Sequence, residues 1–190
     1  PTHRLVSTEK CRGGPTEGSA VNPAPLFRTP VYALGGKTFS GANLGMARGA
    51  LELAISDAES RVAISGVRIA EQSTVQSRIA EAAAELDAAW ALLALDCESA
   101  MAAAKADEVP ELSERMRWRR NDAYATKLCL QAVQRLHTLA GARRMTSDNL
   151  FQRAFRDLHA GAAQVQVNWD LQSTNYGRVA FGLAPLDMRV

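Results

Sequence analysis

The stretch Asn149-Leu150-Phe151-Gln152-Arg153-Ala154-Phe155-Arg156-Asp157-Leu158-His159-Ala160-Gly161 decides how the rest of the chain is read. Phe151, Ala154, Phe155, Leu158, Ala162 and Val165 recur at three- and four-residue spacing, which marks one apolar helix face. Just before it, Thr146-Ser147-Asp148 offers short polar side chains to the orphan N–H groups of a first helical turn. The pattern predicts a helix from about Asp148 to Ser173. Arg153, Arg156 and Asp157 lie off the centre of the stripe, and Arg156 with Asp157 reads as an ion pair fixing neighbouring helices.

Three more helices are predicted upstream. The first runs from about Ser40 to Ile64, with Leu44, Ala47, Leu51, Ala54, Ile55, Ala58 and Val62 in helical period. Gly41, Gly45 and Gly49 recur every four residues on it and suggest a close helix–helix approach; a phosphate loop needs a different pattern. Residues 65–72 break the period and read as a loop. Ser73-Thr74-Val75-Gln76 then has the form of a capping box, opening a second helix that runs to about Ala106. Pro110 suits a first helical position, Glu111 the positive end of a helix dipole, and Gly141 a helix stop, so the third helix covers about 110–140. After Ser173 the chain reads as a turn-rich tail.

Residues 1–38 differ in kind. They hold most of the prolines and several glycines, and they read as a loop-rich arm with one or two short strands. The expected fold is therefore all-α: an antiparallel four-helix bundle over 39–190 with an irregular arm at 1–38. The opening reads like the middle of a protein, so a fragment is expected.

Composition narrows the function. The net charge of +2 does not argue for nucleic acid. Arg115, Arg117, Arg119 and Arg120 are flanked by Glu111, Glu114 and Asp122, which favours a solvated or inter-subunit helix face over a phosphate track. Cys11, Cys97 and Cys129 form no Cys-x-x-Cys pair and suit a reducing cytoplasm. His3, His137 and His159 never fall at metal-ligand spacing, so no metal is expected. No apolar run approaches the ~20 residues of a membrane span.

Three spacings carry a resemblance. Arg61 stands eleven residues before Gln72; Ala140-Gly141-Ala142 closes the third helix fifteen residues before Arg156; and the fourth helix carries Gln152-Arg153-x-x-Arg156-Asp157. With them the chain resembles the C-terminal bundle of the acyl-CoA dehydrogenase fold over nearly its whole length. Pro1-Thr2-His3-Arg4 resembles the last strand of that family's middle β-domain, and Pro25-Leu26-Phe27-Arg28-Thr29-Pro30 the crossover into the bundle. The resemblance implies a homotetramer in which Arg61, Gln72, Thr138 and Gly141 help hold a flavin across a subunit interface. The competing readings are an i, i+4 pairing of Arg61 with Asp57, and packing for Thr138.

Within that fold the dehydrogenases usually carry a Tyr-Glu-Gly-Thr stretch whose Glu is the base, and Asn168 to Tyr176 holds none. The wording from Arg156 to Gly161, with the tail from Tyr176 to Leu183, is similar to the other branch, the two-component flavin-dependent monooxygenases. That branch implies reduced FMN or FAD from a separate NAD(P)H:flavin reductase. It also implies oxygen transfer, through a flavin C4a-hydroperoxide, to an aromatic, polyketide or amino-sugar substrate. Several of its phenol hydroxylases place a His where this chain has Gln164, and a Gln can donate a hydrogen bond but takes no proton near pH 7. His159 keeps two readings, a catalytic one and a hydrogen-bonded interface residue. Two other classes stay open: a dehydrogenase bundle acting on an acyl thioester, and a non-catalytic helical interaction module. Taken alone, residues 1–190 are expected to be inactive.

Overall fold

Three long helices carry the core, and the arm and tail close over their ends. The computed structural model describes residues 6–187 except 65, 141–145, 147 and 148. The expectations placed on Pro1–Arg4, Gly141, Ser147 and Asp148 lie outside the described residues. The helices are α1 (Glu17–Val21), α2 (Val31–Leu34), α3 (Lys37–Ser60), α4 (Ser73–Lys105), α5 (Leu112–Ala140), α6 (Leu150–Ala162) and α7 (Trp169–Ala180). Among the described residues no strand forms; an isolated bridge joins Val62 to Arg68. The short strands expected in the arm are thus replaced by α1, α2 and the 3-10 turns Glu9–Cys11 and Pro25–Arg28. The reason is local: Thr16 and Ser19 cap α1 reciprocally, and Pro25 sits at the start of a 3-10 turn whose missing N–H costs nothing there.

The core draws on four helices. Leu44, Ala47 and Ala50 of α3 meet Leu86, Ala89 and Leu93 of α4, Cys129, Ala132, Val133 and Leu136 of α5, and Phe151 and Leu158 of α6. Alanine recurs at these contacts, and its small side chain lets helix axes approach closely. The apolar stripe read on α6 is the buried one, with Ala154 and Phe155 packed partly against the same cluster.

Several sequence expectations change. The predicted fourth helix is two helices, because Gln164 and Asn168 spend their side-chain oxygens on the backbone N–H groups of Gln166 (2.6 Å) and Leu171 (3.1 Å). Such side chains compete with the helical ladder, so α6 stops at Ala162, a 3-10 turn follows over Val165–Val167, and α7 starts afresh. The tail after Ser173 is therefore helical to Ala180. It ends at Gly182 (φ 75°), where Gly182 N–H donates to Val179 O and Leu183 N–H to Arg178 O. The capping box at Ser73 does not form; Gln72 is the N-cap residue without a side-chain bond, and the Gln76 amide donates instead to Ala70 O at 2.9 Å.

The glycines of α3 do not serve a close approach within the chain. A Cβ added at Gly41, Gly45 or Gly49 would meet nothing within 4 Å. Gly41 and Gly45 line an open groove of about 380 Å³ with Leu44, Trp90, Leu93 and Ala94, and Trp90 is 55% exposed. Close approach happens at two other glycines: at Gly161 a Cβ would collide with the Asn43 amide oxygen, and at Gly36 with a carboxylate oxygen of Asp122 at 2.5 Å.

Among the described residues the Arg156–Asp157 pair reaches no neighbouring helix. Asp157 accepts from Arg153 Nε at 3.3 Å and lies 3.6 Å from Arg156 Nε, all on the exposed side of α6. The basic run on α5 is also not a solvated face: Arg115 and Arg119 are buried under the arm and tail, and Arg119 meets Asp187 at 2.9 Å.

Candidate functional site

Arg61 terminates α3, and its guanidinium ties two helix ends together. Nη1 donates to Asp57 Oδ2 at 2.6 Å and to Leu139 O, near the end of α5, at 3.3 Å. The i, i+4 pairing with Asp57 is therefore real, and it coexists with a side chain still 39% exposed. The following 3-10 turn, Ile69–Glu71, links Arg61 to Gln72: Ile69 N–H donates to Arg61 O, and Gln72 N–H donates to Ile69 O. Arg61 also lines a small apolar recess with Ala58, Ile69, Val75, Leu136 and Phe151.

An open groove of about 540 Å³ on α4, α5 and α6 brings Thr138 and His159 together. Arg78 donates to Thr138 Oγ1 at 3.0 Å, and Thr138 Oγ1 donates to Arg135 O at 2.7 Å. Arg135 meets Glu81 at 2.9 Å and Glu85 at 2.6 Å; the hydrogen bond to Glu85 raises its pKa above the ordinary arginine value. Its Nε is buried without a hydrogen-bond partner. Gln131 and Gln134 add amide groups to the same wall. Two guanidiniums and two amides supply the donors of this wall. The Thr138 hydroxyl already donates to Arg135 O and Arg135 is paired with Glu81 and Glu85, which leaves Arg78 and the amides to meet an anionic, hydrogen-bonding group.

His159 is held by its neighbours. Its Nδ1 lies 2.7 Å from Phe155 O, and a carbonyl only accepts, so Nδ1 carries a proton and donates to it, which leaves Nε2 as the ring nitrogen not spent on that bond. The ring stands 4.3 Å from Phe155, which stands 4.2 Å from His137.

Gln164 is elsewhere. It lies beyond the end of α6, does not line the Thr138–His159 groove, and has its amide oxygen engaged by Gln166 N–H. Its remaining polar group is the NH₂, a donor. The next turn packs close to Gly35, where a Cβ would meet the Gln166 amide oxygen at 3.2 Å. The six residues read from sequence thus divide. Arg61 and Gln72 share one turn, Thr138 and His159 share one groove, Gln164 stands apart, and Gly141 lies outside the described residues. Sequence reading missed Arg78, Arg135, Gln131 and Gln134. Two helices 50 residues apart supply them, as the Glu85–Arg135 bond illustrates, and no local motif marks such a meeting.

Comparison with known proteins places this geometry. The family model for the acyl-CoA dehydrogenase C-terminal domain matches residues 37–169. The oxygenase subunit of the flavin-dependent monooxygenase HsaA from Mycobacterium tuberculosis is 30% identical over 192 residues, covering 100% of this chain and 49% of that protein. The oxygenase component of the FADH(2)-dependent resorcinol hydroxylase from Rhizobium sp. is 32% identical, over 97% of this chain and 48% of that protein. Among solved structures, XiaF from Streptomyces sp. in complex with FADH2 and glycerol superposes with a TM-score of 0.86 at 26% identity, over 98% of this chain and 48% of that one. The chain thus spans about half the length of the curated relatives it matches.

Proposed function

The chain belongs to the acyl-CoA dehydrogenase C-terminal domain family, and we propose that it serves a two-component flavin-dependent monooxygenase as the C-terminal domain of the oxygenase. The observation that carries this reading is the similarity, over the whole chain, to oxygenase components that use reduced flavin. On this reading residues 39–190 are the C-terminal domain, 1–38 the remnant of a middle domain and its crossover, and a small aromatic molecule the substrate. A separate NAD(P)H:flavin reductase supplies the cofactor, and the oxygenase works as a cytoplasmic homotetramer. The free cysteines agree with a reducing compartment, and the open groove beside the exposed Trp90 offers apolar surface for assembly. Among the described residues no helix is long and apolar enough to cross a membrane.

The donors of the groove, the Arg78 guanidinium and the Gln131 and Gln134 amides, fit a flavin nucleotide at its phosphate-bearing end, with Arg135 held beside them by Glu81 and Glu85. Arg61, Gln72, Arg78, Thr138 and Arg135 would hold and orient it, and Gly141 is proposed beside them. A bound reduced flavin, FMN or FAD, supplies the electrons with which molecular oxygen is activated. His159 stands on the same groove with Nε2 uncommitted, and Gln164, which lies outside this groove, is proposed as a donor to the substrate that cannot take its proton. Substrates already acidic, or oxidations needing no base, follow from that assignment. An open groove does not exclude water, so the 190-residue chain alone is expected to hydroxylate nothing.

The test supplies the complete oxygenase with NADH, a separate reductase and trial phenols, and follows hydroxylated product. Product formation supports the reading; a tightly bound flavin reduced directly by an acyl-CoA moves the protein to the dehydrogenase branch. In the same protein Arg61→Ala should weaken reduced-flavin binding by ~10–100-fold, the worth of one charge-assisted hydrogen bond. Far-UV circular dichroism should not change, because Arg61 lies just past the last turn of α3. Unaltered affinity would remove Arg61 from the site.

A further inference from the structure

The first turns of α5 bury a guanidinium that no described residue meets in an ion pair. Arg115 is only 7% exposed, and its Nε and Nη1 are shielded from water with no hydrogen-bond partner among the described residues. Trp118 is fully buried one turn later, and its indole N–H also lacks an acceptor. Residues three apart share a helix face, so both side chains leave α5 on the same side.

The carboxylates nearby do not answer the need. Asp187 is engaged by Arg119, and Glu111, whose negative charge acts on Arg115, stays exposed. Arg12 of the arm adds a second positive charge against Arg115. Burial, followed by that charge, pushes the Arg115 pKa below the ordinary arginine value. The start of the 29-residue α5 contributes further positive potential from its N-terminal peptide dipoles. A buried guanidinium without a counter-charge is strongly disfavoured, and arginine is the side chain best shaped to take two oxygens of one anion.

We propose that Arg115 and Trp118 form an internal oxyanion site at the start of α5, taking a phosphate or carboxylate group. The site stands apart from the flavin reading, since neither residue lines the Thr138–His159 groove. Inorganic phosphate, acetate and chloride are titrated at constant ionic strength into the 190-residue chain dialysed free of oxyanions. Thermal melts and calorimetry follow the binding. Phosphate should raise the melting temperature saturably and give a calorimetric isotherm, with chloride inactive at matched strength. A matching response to acetate widens the site to carboxylates; a response to phosphate alone narrows it to phosphates.

Arg115→Met removes the unpaired charge while keeping the apolar stem. It should melt no lower than wild type in oxyanion-free buffer and should lose the response to phosphate. If that variant does not fold, the wild-type isotherm decides. The proposal is overturned by a wild-type chain indifferent to both oxyanions, or by an Arg115→Met variant that folds, melts lower without oxyanions and still responds to phosphate.

Discussion

Phe151→Ala should cost the fold about 3–5 kcal/mol, the range for truncating a large buried aromatic side chain. Phe151 is 1% exposed, joins the core with Leu136 and Leu158, and also closes the recess beside Arg61. With only 13 residues, α6 has no independent stability, so its place depends on this stripe and on its cap. The cap is Asn149, whose side-chain oxygen accepts from Phe151 N–H at 2.9 Å. Removing the ring leaves a void between α6, α5 and the end of α3 and loosens the element that carries His159. For a chain of this size the loss corresponds to a fall of roughly 6–20 °C in melting temperature. Leu150→Ala, one residue earlier and exposed, should stay within about 0.5 kcal/mol. A Phe151→Ala loss as small as that of Leu150→Ala would mean that the stripe does not hold α6.

The apolar periodicity of α3, α4, α5 and α6 was legible because burial imposes a 3.6-residue pattern that no turn or strand imitates. The break after Ala162 was not, because it depends on where two side-chain oxygens point. Gln164 and Asn168 can lie on a helix surface or bond the backbone, and composition does not separate the two states. The glycine series on α3 misled for a related reason. Gly41, Gly45 and Gly49 have the spacing of a helix contact, yet spacing cannot say whether the partner belongs to the same chain. Of the site, Arg61 was visible through its position at a helix end. The arginines of the Thr138–His159 groove were not, because Arg78 and Arg135 acquire meaning only when α4 lies against α5.

The Lys37–Asp96–Asp122 cluster has that same origin in distant sequence, and Lys37→Met should cost about 3–5 kcal/mol by leaving buried carboxylates without their cation. Lys37 Nζ donates to Asp96 Oδ2 at 3.1 Å and to Asp122 Oδ1 at 2.9 Å, and both carboxylates have no exposed surface. Asn121 donates to Asp96 Oδ1 at 2.9 Å and Ser40 to Asp122 Oδ1 at 2.8 Å, while Asp122 Oδ2 has no donor and faces Gly36. Burial pushes the Asp122 carboxyl from its ordinary 3.8 up to about 6, against the opposing pull of Lys37 and Ser40. A carboxyl with a raised pKa binds its proton more tightly when folded, so its stabilising contribution is full below pH 3.8 and is lost as the pH rises through about 6. The loss is on the order of 2–3 kcal/mol and is complete above that window. Asp122→Asn keeps the oxygen that Lys37 and Ser40 donate to, removes the ionisation, and should flatten stability between pH 4 and about 6. In Lys37→Met the deficit should shrink at pH 5, where the Asp122 carboxyl holds its proton more readily, and grow at pH 8. Chemical denaturation of the four variants in a double-mutant cycle at both pH values separates these contributions. Equal Lys37→Met losses with Asp122 and with Asn at 122 would show that the two side chains are not coupled, and a deficit independent of pH would remove ionisation from the account.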